Sequence, residues 1–285
     1  MGATCKHSRL YAKRFGIDSI MPNDNPIGIF DSGIGGLTVF KDISRMLPVE
    51  DILYLGDTAR VPYGIRSAET VARYSFECAD FLMNKHVKVL VVACNTVSAI
   101  SLNEIRERVP VPVIGVIEPG AKAAVSATAN GKVGVIGTEA TIRSGAYLRA
   151  IKAIDESVEV YGLACPLFVP LVEEGWTDGD IARLVAEKYL SGFQTHGIDT
   201  IVLGCTHYPL LKDVIQGVMQ GIKIIDSAVE TGKALKAILH EGPLLRHSGA
   251  PAVHKFYVTD STEKFTSIGE RFLGYHISEI ERVML

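Results

Sequence analysis

Two cysteines stand in matching local sequences, and a thiol can take up and release a proton near neutral pH. Cys94 closes the run K-V-L-V-V-A-C-N-T, and Cys205 closes D-T-I-V-L-G-C-T-H. Each β-branched run predicts a buried parallel strand, and the polar residues that follow predict a turn into a helix. We therefore expect both thiols at strand C-terminal ends, where open α/β sheets bind ligands and the next helix favours a thiolate.

The repeated context of the two cysteines favours chemistry over packing. A single buried cysteine usually acts as a small apolar side chain. These two are followed by Asn-Thr and Thr-His instead of further apolar residues. A base and an acid on opposite faces of one carbon invert a stereocentre, and a thiol with a pKa of about 7 serves in either role. The pair therefore predicts proton transfer of the kind that racemisation requires.

His207, two residues after Cys205, leaves two other chemistries open. One is a Cys-His nucleophilic pair, which gives the second cysteine no purpose. The other is a metal site built from His207 and both cysteines, which lacks the closely spaced ligand pairs common in zinc sites. We expect instead a neutral His207 that hydrogen-bonds to its neighbours, and no metal.

Composition limits the class of protein. The chain has 285 residues with 29 basic and 32 acidic side chains, a net charge of −3 and 47% apolar residues. This balance predicts two folded domains and a small-molecule partner, with no nucleic acid. No apolar run approaches the roughly 18 residues of a membrane span, so no membrane contact is expected. Five cysteines without a CxxC motif argue against a disulfide scaffold and favour a cytoplasmic location.

The order of elements predicts the fold class. Short β-branched runs alternate with longer amphipathic stretches, which indicates α/β architecture with mainly parallel sheets. A G-I-F-D-S strand precedes Cys94, and a G-V-I-G-T strand precedes Cys205 at a similar distance. This repeat predicts two pseudosymmetric, mainly parallel α/β domains with the active site in the cleft between them. The predicted limits are an N-terminal extension over 1–26, a first domain over 27–118 plus 226–285, and a second domain over 119–225.

Local sequence also predicts where two helices begin and what the first residues of the chain form. Ser67 is a plausible N-cap for a helix running toward Lys85, and Thr177 with Asp180 resembles a capping box. The basic, acid-poor start of the chain is interpreted as a loosely ordered extension, with Met21 as an alternative initiator.

Asp31 and Ser32 close the first strand in F-D-S-G-I-G-G. The glycines allow a ligand to approach the backbone closely, and the helix that begins near Gly36 offers unpaired N–H groups. A carboxylate-bearing ligand fits this arrangement. An ordinary tight turn between strand and helix is the alternative.

Several of these motifs, taken in order, resemble those of one known family. From about Ile27 to about Asp226 the chain is similar to the cofactor-independent glutamate racemases of the aspartate/glutamate racemase superfamily. The blocks that carry the resemblance are G-I-F-D-S-G-I-G-G-L-T-V, G-D-T-A-R-V-P-Y-G, V-V-A-C-N-T, L-V-E-E-G and V-L-G-C-T-H-Y-P-L-L.

The resemblance implies roles for individual residues. Cys94 would remove the Cα proton of D-glutamate and Cys205 that of L-glutamate, with Asp31 near Cys94, and with Glu173 and His207 near Cys205. The substrate contacts that it implies are Asp31, Ser32, Tyr63, Gly64, Asn95, Thr96, Thr138, Thr206 and His207. For Asn95 and Thr96, helix capping is the alternative.

The resemblance also implies a setting. It predicts a homodimeric enzyme of the bacterial cytoplasm that supplies D-glutamate for peptidoglycan. Because no lysine occupies the strand-end motifs, pyridoxal phosphate has no Schiff-base partner there, and we expect no cofactor.

Three alternatives stay open at this point. The chain could racemise aspartate or another amino acid. It could be a homologue that binds a ligand without turnover. It could also be a thiol oxidoreductase, although its two cysteines fall in separate predicted domains.

Overall fold

A computed structural model describes residues 24–285 of the chain. The predicted extension, and Met21 with it, lies outside the described residues apart from its last three positions. The strands are β1 Ile27–Asp31, β2 Ile52–Gly56, β3 Val89–Val92, β4 Val113–Gly115, β5 Lys132–Gly137, β6 Glu159–Ala164, β7 Thr200–Gly204, β8 Lys223–Asp226, β9 His254–Val258 and β10 Ile280–Arg282.

The helices connect these strands in regular alternation. They are α1 Leu37–Met46, α2 Ala68–Asn84, α3 Asn95–Ile100, α4 Leu102–Arg108, α5 Ile117–Ala127, α6 Glu139–Ser144, α7 Ala146–Ile154, α8 Phe168–Glu173, α9 Gly179–His196, α10 Lys212–Val218, α11 Ser227–Glu241 and α12 Thr262–Leu273. Short 3-10 turns cover Tyr63–Ile65 and Tyr208–Leu211.

The strands form two sheets in which every pairing is parallel. The first has the order β10-β9-β2-β1-β3-β4, and the second β6-β5-β7-β8. Strands β1, β2, β3 and β7 are buried along their whole length, because helices cover both faces of a parallel sheet. The continuous β-branched runs of the sequence therefore form the centres of the sheets.

The two sheets share one strand order. Positions β2-β1-β3-β4 of the first correspond to β6-β5-β7-β8 of the second. The predicted α/β class with two similar units is confirmed. Strand β9 pairs with β2, so the end of the chain returns to the first sheet. The predicted boundary at 118 lies inside α5, and the exact domain limits stay predictions.

One predicted helix cap is present and the other is wrong. The Ser67 hydroxyl accepts a hydrogen bond from Thr70 N at 3.2 Å, as an N-cap does. Thr177 caps nothing, because α9 begins at Gly179 after Asp178, whose side chain makes no capping bond. The positive φ of Gly179 (75°) starts the helix in backbone geometry that a capping box does not use.

Two features join distant parts of the fold. Helix α11 packs against both α1 and α5, so it contacts the helices of both units. At the N-terminal end of the first sheet, Lys88 and Glu50 form a fully buried ion pair with an N–O distance of 2.5 Å. Within residues 24–285, no helix combines the length and apolar character needed to cross a membrane.

Candidate active site

A cavity of about 370 Å³ lies where the C-terminal ends of the two sheets meet. In the first sheet, β2 and β3 are added on opposite sides of β1, and in the second sheet β6 and β7 are added on opposite sides of β5, so the strand order switches at β1/β3 and at β5/β7. Such switch points open a crevice at the strand ends. Cys94 follows β3 and Cys205 follows β7, and both line this one cavity with 5% of their surface exposed. Each unit thus contributes one thiol.

Most of the predicted site residues lie on the cavity wall. Besides the two cysteines, these are Ser32, Tyr63, Gly64, Asn95, Thr96, Thr138, Glu173, Thr206 and His207. They come from the turns and first helices that follow β1, β2, β3, β5, β6 and β7.

The surroundings of the Cys94 thiol disfavour its ionisation. Its Sγ donates to Ser32 Oγ at 3.4 Å. Burial and the neighbouring Asp31 carboxylate raise the pKa of Cys94 to about 12, and the hydrogen bonds from Ser32 and from the backbone of Val97 offset this only in part. The backbone of α3 does favour the Cys94 thiolate, as expected, through the N–H of Val97, but desolvation outweighs this contribution.

Asp31 is fully buried beside Cys94 and is not among the residues that line the cavity. Its Oδ2 accepts a hydrogen bond from Gly33 N at 3.0 Å. Its Oδ1 is buried and has no hydrogen-bond partner among the described residues. Burial raises the pKa of Asp31 despite the charge of His207 and these backbone bonds. In this structure Asp31 acts on the thiol and does not face the cavity itself.

A hydrogen-bonded chain runs from Cys205 to Glu173. His207 Nδ1 lies 3.9 Å from Cys205 Sγ, and His207 Nε2 lies 3.1 Å from Glu173 Oε1. Burial opposes a charge on His207, but its bonds to Cys205 and Glu173 outweigh burial and raise the pKa of His207 to about 10. The bond from His207 lowers the pKa of Glu173. The expected neutral His207 is wrong, because its hydrogen bonds to Cys205 and Glu173 favour the imidazolium.

Polar side chains from the two units meet across the cavity floor. Thr96 Oγ1 lies 3.0 Å from Thr138 Oγ1 and 3.4 Å from Thr141 Oγ1. The Asn95 carbonyl oxygen accepts a bond from Tyr147 OH at 2.7 Å. Neither Asn95 nor Thr96 is a helix cap, because Cys94 occupies the N-cap position of α3. These contacts fix the residues after Cys94 against the second unit.

The segment after β2 presents its backbone to the cavity. The Tyr63 hydroxyl donates to the buried Asp57 carboxylate, which also accepts bonds from Arg60 Nε at 2.6 Å and Thr259 Oγ1 at 2.8 Å. Because the Tyr63 hydroxyl is bound to Asp57, we expect the polar contacts of Tyr63 and Gly64 with a ligand to come from their backbone.

Gly35 brings the two units into close contact. A Cβ at this position would lie 2.5 Å from His207 Nδ1 and would also overlap the Thr206 hydroxyl. Thr38 Oγ1 donates to both Gly35 O and Thr206 O at 3.0 Å. A side chain at Gly35 would push the first unit away from the Cys205 wall.

Several lining residues were not identified from the sequence. They are Gly33, Ile34, Val61, Pro62, Ile65, Glu139, Pro166, Val169 and Pro170. Most are apolar, so nothing in their type suggests chemistry. Their positions did carry a signal, because they also follow β1, β2, β5 and β6 at the strand ends that the fold class predicts. Within residues 24–285, no three His, Cys, Asp or Glu side chains are arranged as a metal site.

Known proteins resemble this chain over nearly its whole length. A glutamate racemase from Geobacter metallireducens is 55% identical over 260 residues, which cover 91% of this chain and 96% of the relative. The crystal structure of glutamate racemase from Francisella tularensis in complex with D-glutamate has 42% identity and a TM-score of 0.87, covering 92% of this chain and 98% of that one. Glutamate racemase isoform RacE1 from Bacillus anthracis has 43% identity and a TM-score of 0.89, with the same coverage.

A family model agrees with these similarities. The model described as Asp/Glu/Hydantoin racemase matches residues 27–234, which include both cysteines and every wall of the cavity. The chain is therefore an isomerase that belongs to the Asp/Glu/hydantoin racemase family.

Proposed function

We propose that this chain is a glutamate racemase that interconverts L-glutamate and D-glutamate by two-base proton transfer at Cα, without a cofactor. The observation that carries the proposal is the single cavity lined by one thiol from each α/β unit. The similarity to glutamate racemases of about 42–55% identity supports glutamate as the substrate.

The two thiols have different neighbours, and we assign their roles from this difference. Cys205 lies beside His207, whose partners favour the imidazolium, whereas burial and Asp31 raise the pKa of Cys94. We therefore assign Cys205 as the base and Cys94 as the acid in the reaction of L-glutamate. The Cys205 thiolate removes the Cα proton of L-glutamate, and the Cys94 thiol gives its proton to the opposite face of the carbanion. D-glutamate then leaves, with the proton on Cys205 and the charge on Cys94. The reaction of D-glutamate runs through the same steps in reverse.

The cavity wall offers groups that suit both ends of glutamate. The backbone of Tyr63 and Gly64, the Ser32 hydroxyl, and the residues after each cysteine supply donors for carboxylates. Preorganised donors of this kind also stabilise the negative charge that develops when Cα loses its proton. We assign substrate binding to Ser32, Tyr63, Gly64, Asn95, Thr96, Thr138, Thr206 and His207, with Asp31 acting on Cys94.

We further propose that the protein supplies D-glutamate for peptidoglycan in a bacterial cytoplasm and acts as a homodimer. Similarity to bacterial glutamate racemases supports this setting. Sedimentation analysis of the purified protein tests the dimer. A single species at the monomer mass of 30.8 kDa would exclude it under those conditions.

The central test is hydrogen exchange at Cα in deuterated water, with chiral analysis of the product. Wild type should convert either enantiomer of glutamate and incorporate deuterium. Cys94→Ser and Cys205→Ser should each lose racemisation by roughly 10²-fold or more, because each removes one acid/base group. Cys78→Ala is the matched control, since Cys78 is buried but does not line the cavity.

The other outcomes identify the alternatives. Faster turnover of aspartate than of glutamate would make the chain a racemase of different specificity. Exchange no greater than in a sample without enzyme would indicate a binding protein. Full activity in either serine variant would contradict the two-thiol mechanism itself.

A further inference from the structure

The last turn of α12 reaches the Cys205 wall from the other unit. Helix α12 follows β9 of the first sheet and packs on α1. Helix α8, which ends at Glu173, follows β6 of the second sheet. Contacts between these two helices therefore join the C-terminal segment of the chain to the wall that carries Cys205.

Two residues of this turn contact the partners of Cys205 directly. Arg271 Nη2 donates to the main-chain oxygen of Glu173 at 2.7 Å. The Phe272 ring meets the His207 ring edge to face, with centroids 5.6 Å apart and an interplanar angle of 88°. The charge of Lys264, about two turns earlier on the same helix, helps to lower the pKa of Glu173.

The surroundings of Arg271 are shaped to accept its guanidinium group. Gly175, two residues after Glu173, has φ of 81°, and a Cβ there would overlap Arg271 Nη1. Lys41 Nζ donates to the Phe272 main-chain oxygen at 3.2 Å, which ties the end of α12 to α1. The turn is thus anchored on the first unit and reaches the second.

We propose that Arg271 and Phe272 are positioning residues that hold Glu173 and His207 in line with Cys205. This inference rests on the proposed racemase function and assigns a role to side chains that touch neither the cavity nor a thiol. Arg271 fixes the end of α8, and Phe272 limits rotation of the His207 ring. Their loss should slow proton transfer at Cys205 more than at Cys94.

A comparison of rates in the two directions cannot reveal such a one-sided effect. The enantiomers have equal free energies in water, so kcat/KM for L- and D-glutamate must remain equal in every variant. An isotope effect can separate the two steps. Deuterium on Cα of L-glutamate is removed by Cys205, whereas deuterium on Cα of D-glutamate is removed by Cys94.

The experiment measures kcat/KM isotope effects with Cα-deuterated L- and D-glutamate for wild type and Arg271→Ala. We expect kcat/KM to fall by about tenfold, as the loss of one hydrogen bond would give. The isotope effect should rise with deuterated L-glutamate and fall with deuterated D-glutamate. Arg271→Lys, which keeps a donor, should recover part of the activity, and Phe272→Leu should shift the isotope effects in the same direction.

Arg149→Ala is the matched control, because Arg149 also donates to a main-chain oxygen, that of Ser144 at 2.6 Å, away from the cavity. It should behave as wild type. Unchanged kcat/KM in Arg271→Ala, or a loss in which both isotope effects move together, would overturn the positioning role. Absence of racemisation in wild type would instead refute the proposed function.

Discussion

The charge on Glu173 should set how far into alkaline pH the enzyme works. The rise in the pKa of His207 from 6.5 to about 10 corresponds to about 5 kcal/mol in favour of the imidazolium. Cys205 and Glu173 share this effect, and the Glu173 side chain is 34% exposed, so solvent screens its part. For the loss of this one partly screened charge we expect about 1.4 kcal/mol, which is a change of about 1 in the pKa of His207.

Glu173→Gln removes the charge and keeps an oxygen that can accept the bond from His207 Nε2. Because a raised pKa means that His207 loses its proton only as the pH rises through about 10, the variant should lose it at lower pH. The alkaline limb of kcat/KM, measured with L-glutamate, should therefore move down by about 1 pH unit. Glu174→Gln, an exposed neighbour, is the control and should keep the wild-type profile. Coinciding alkaline limbs in wild type and Glu173→Gln would refute the reasoning.

Three further perturbations test other parts of the site and fold. Asp31→Asn removes the charge that helps to raise the pKa of Cys94, so iodoacetamide should alkylate Cys94 faster at pH 8. Peptide mass analysis measures this rate. An unchanged or slower rate would count against this electrostatic account. Glu50→Gln removes the carboxylate that pairs with the buried Lys88 ammonium group, and the free energy of unfolding in urea should fall by about 3–5 kcal/mol. A loss below about 1 kcal/mol would mean that the pair is not buried in solution. Gly35→Ala should lower kcat/KM strongly with little change in circular dichroism, because its methyl group would collide with the Cys205 wall; normal activity would show that the units separate easily.

The sequence predicted the two sheets well because their strands are buried on both faces. Runs such as V-L-V-V and T-I-V-L-G form β3 and β7 almost where expected. Strand β10 was not predicted, because its three residues at the sheet edge are partly exposed and include Glu281 and Arg282. Short edge strands carry little of the apolar pattern on which such predictions depend.

The site was predictable where position alone determines it. Parallel sheets bind ligands at the C-terminal ends of their strands, and this position alone predicted that Cys94 and Cys205 line one cavity. Protonation states were not predictable, because they depend on burial and on partners from distant segments. Thus burial and Asp31 raise the pKa of Cys94, and the bonds to Cys205 and Glu173 raise the pKa of His207, which was expected to be neutral. Arg271 could not be found from sequence, since its partner lies 98 positions away.

A racemase has to transfer a proton at either face of one carbon. An acid/base group on a single wall of a pocket reaches only one of these faces. The two sheets share the strand order β2-β1-β3-β4 and β6-β5-β7-β8, so each wall has a cysteine at an equivalent strand end. In the mechanism that we propose, each enantiomer of the amino acid would therefore meet a sulfur on the side of its Cα hydrogen. The two walls still differ in the groups behind the sulfurs, since Asp31 lies beside Cys94 and His207 lies beside Cys205.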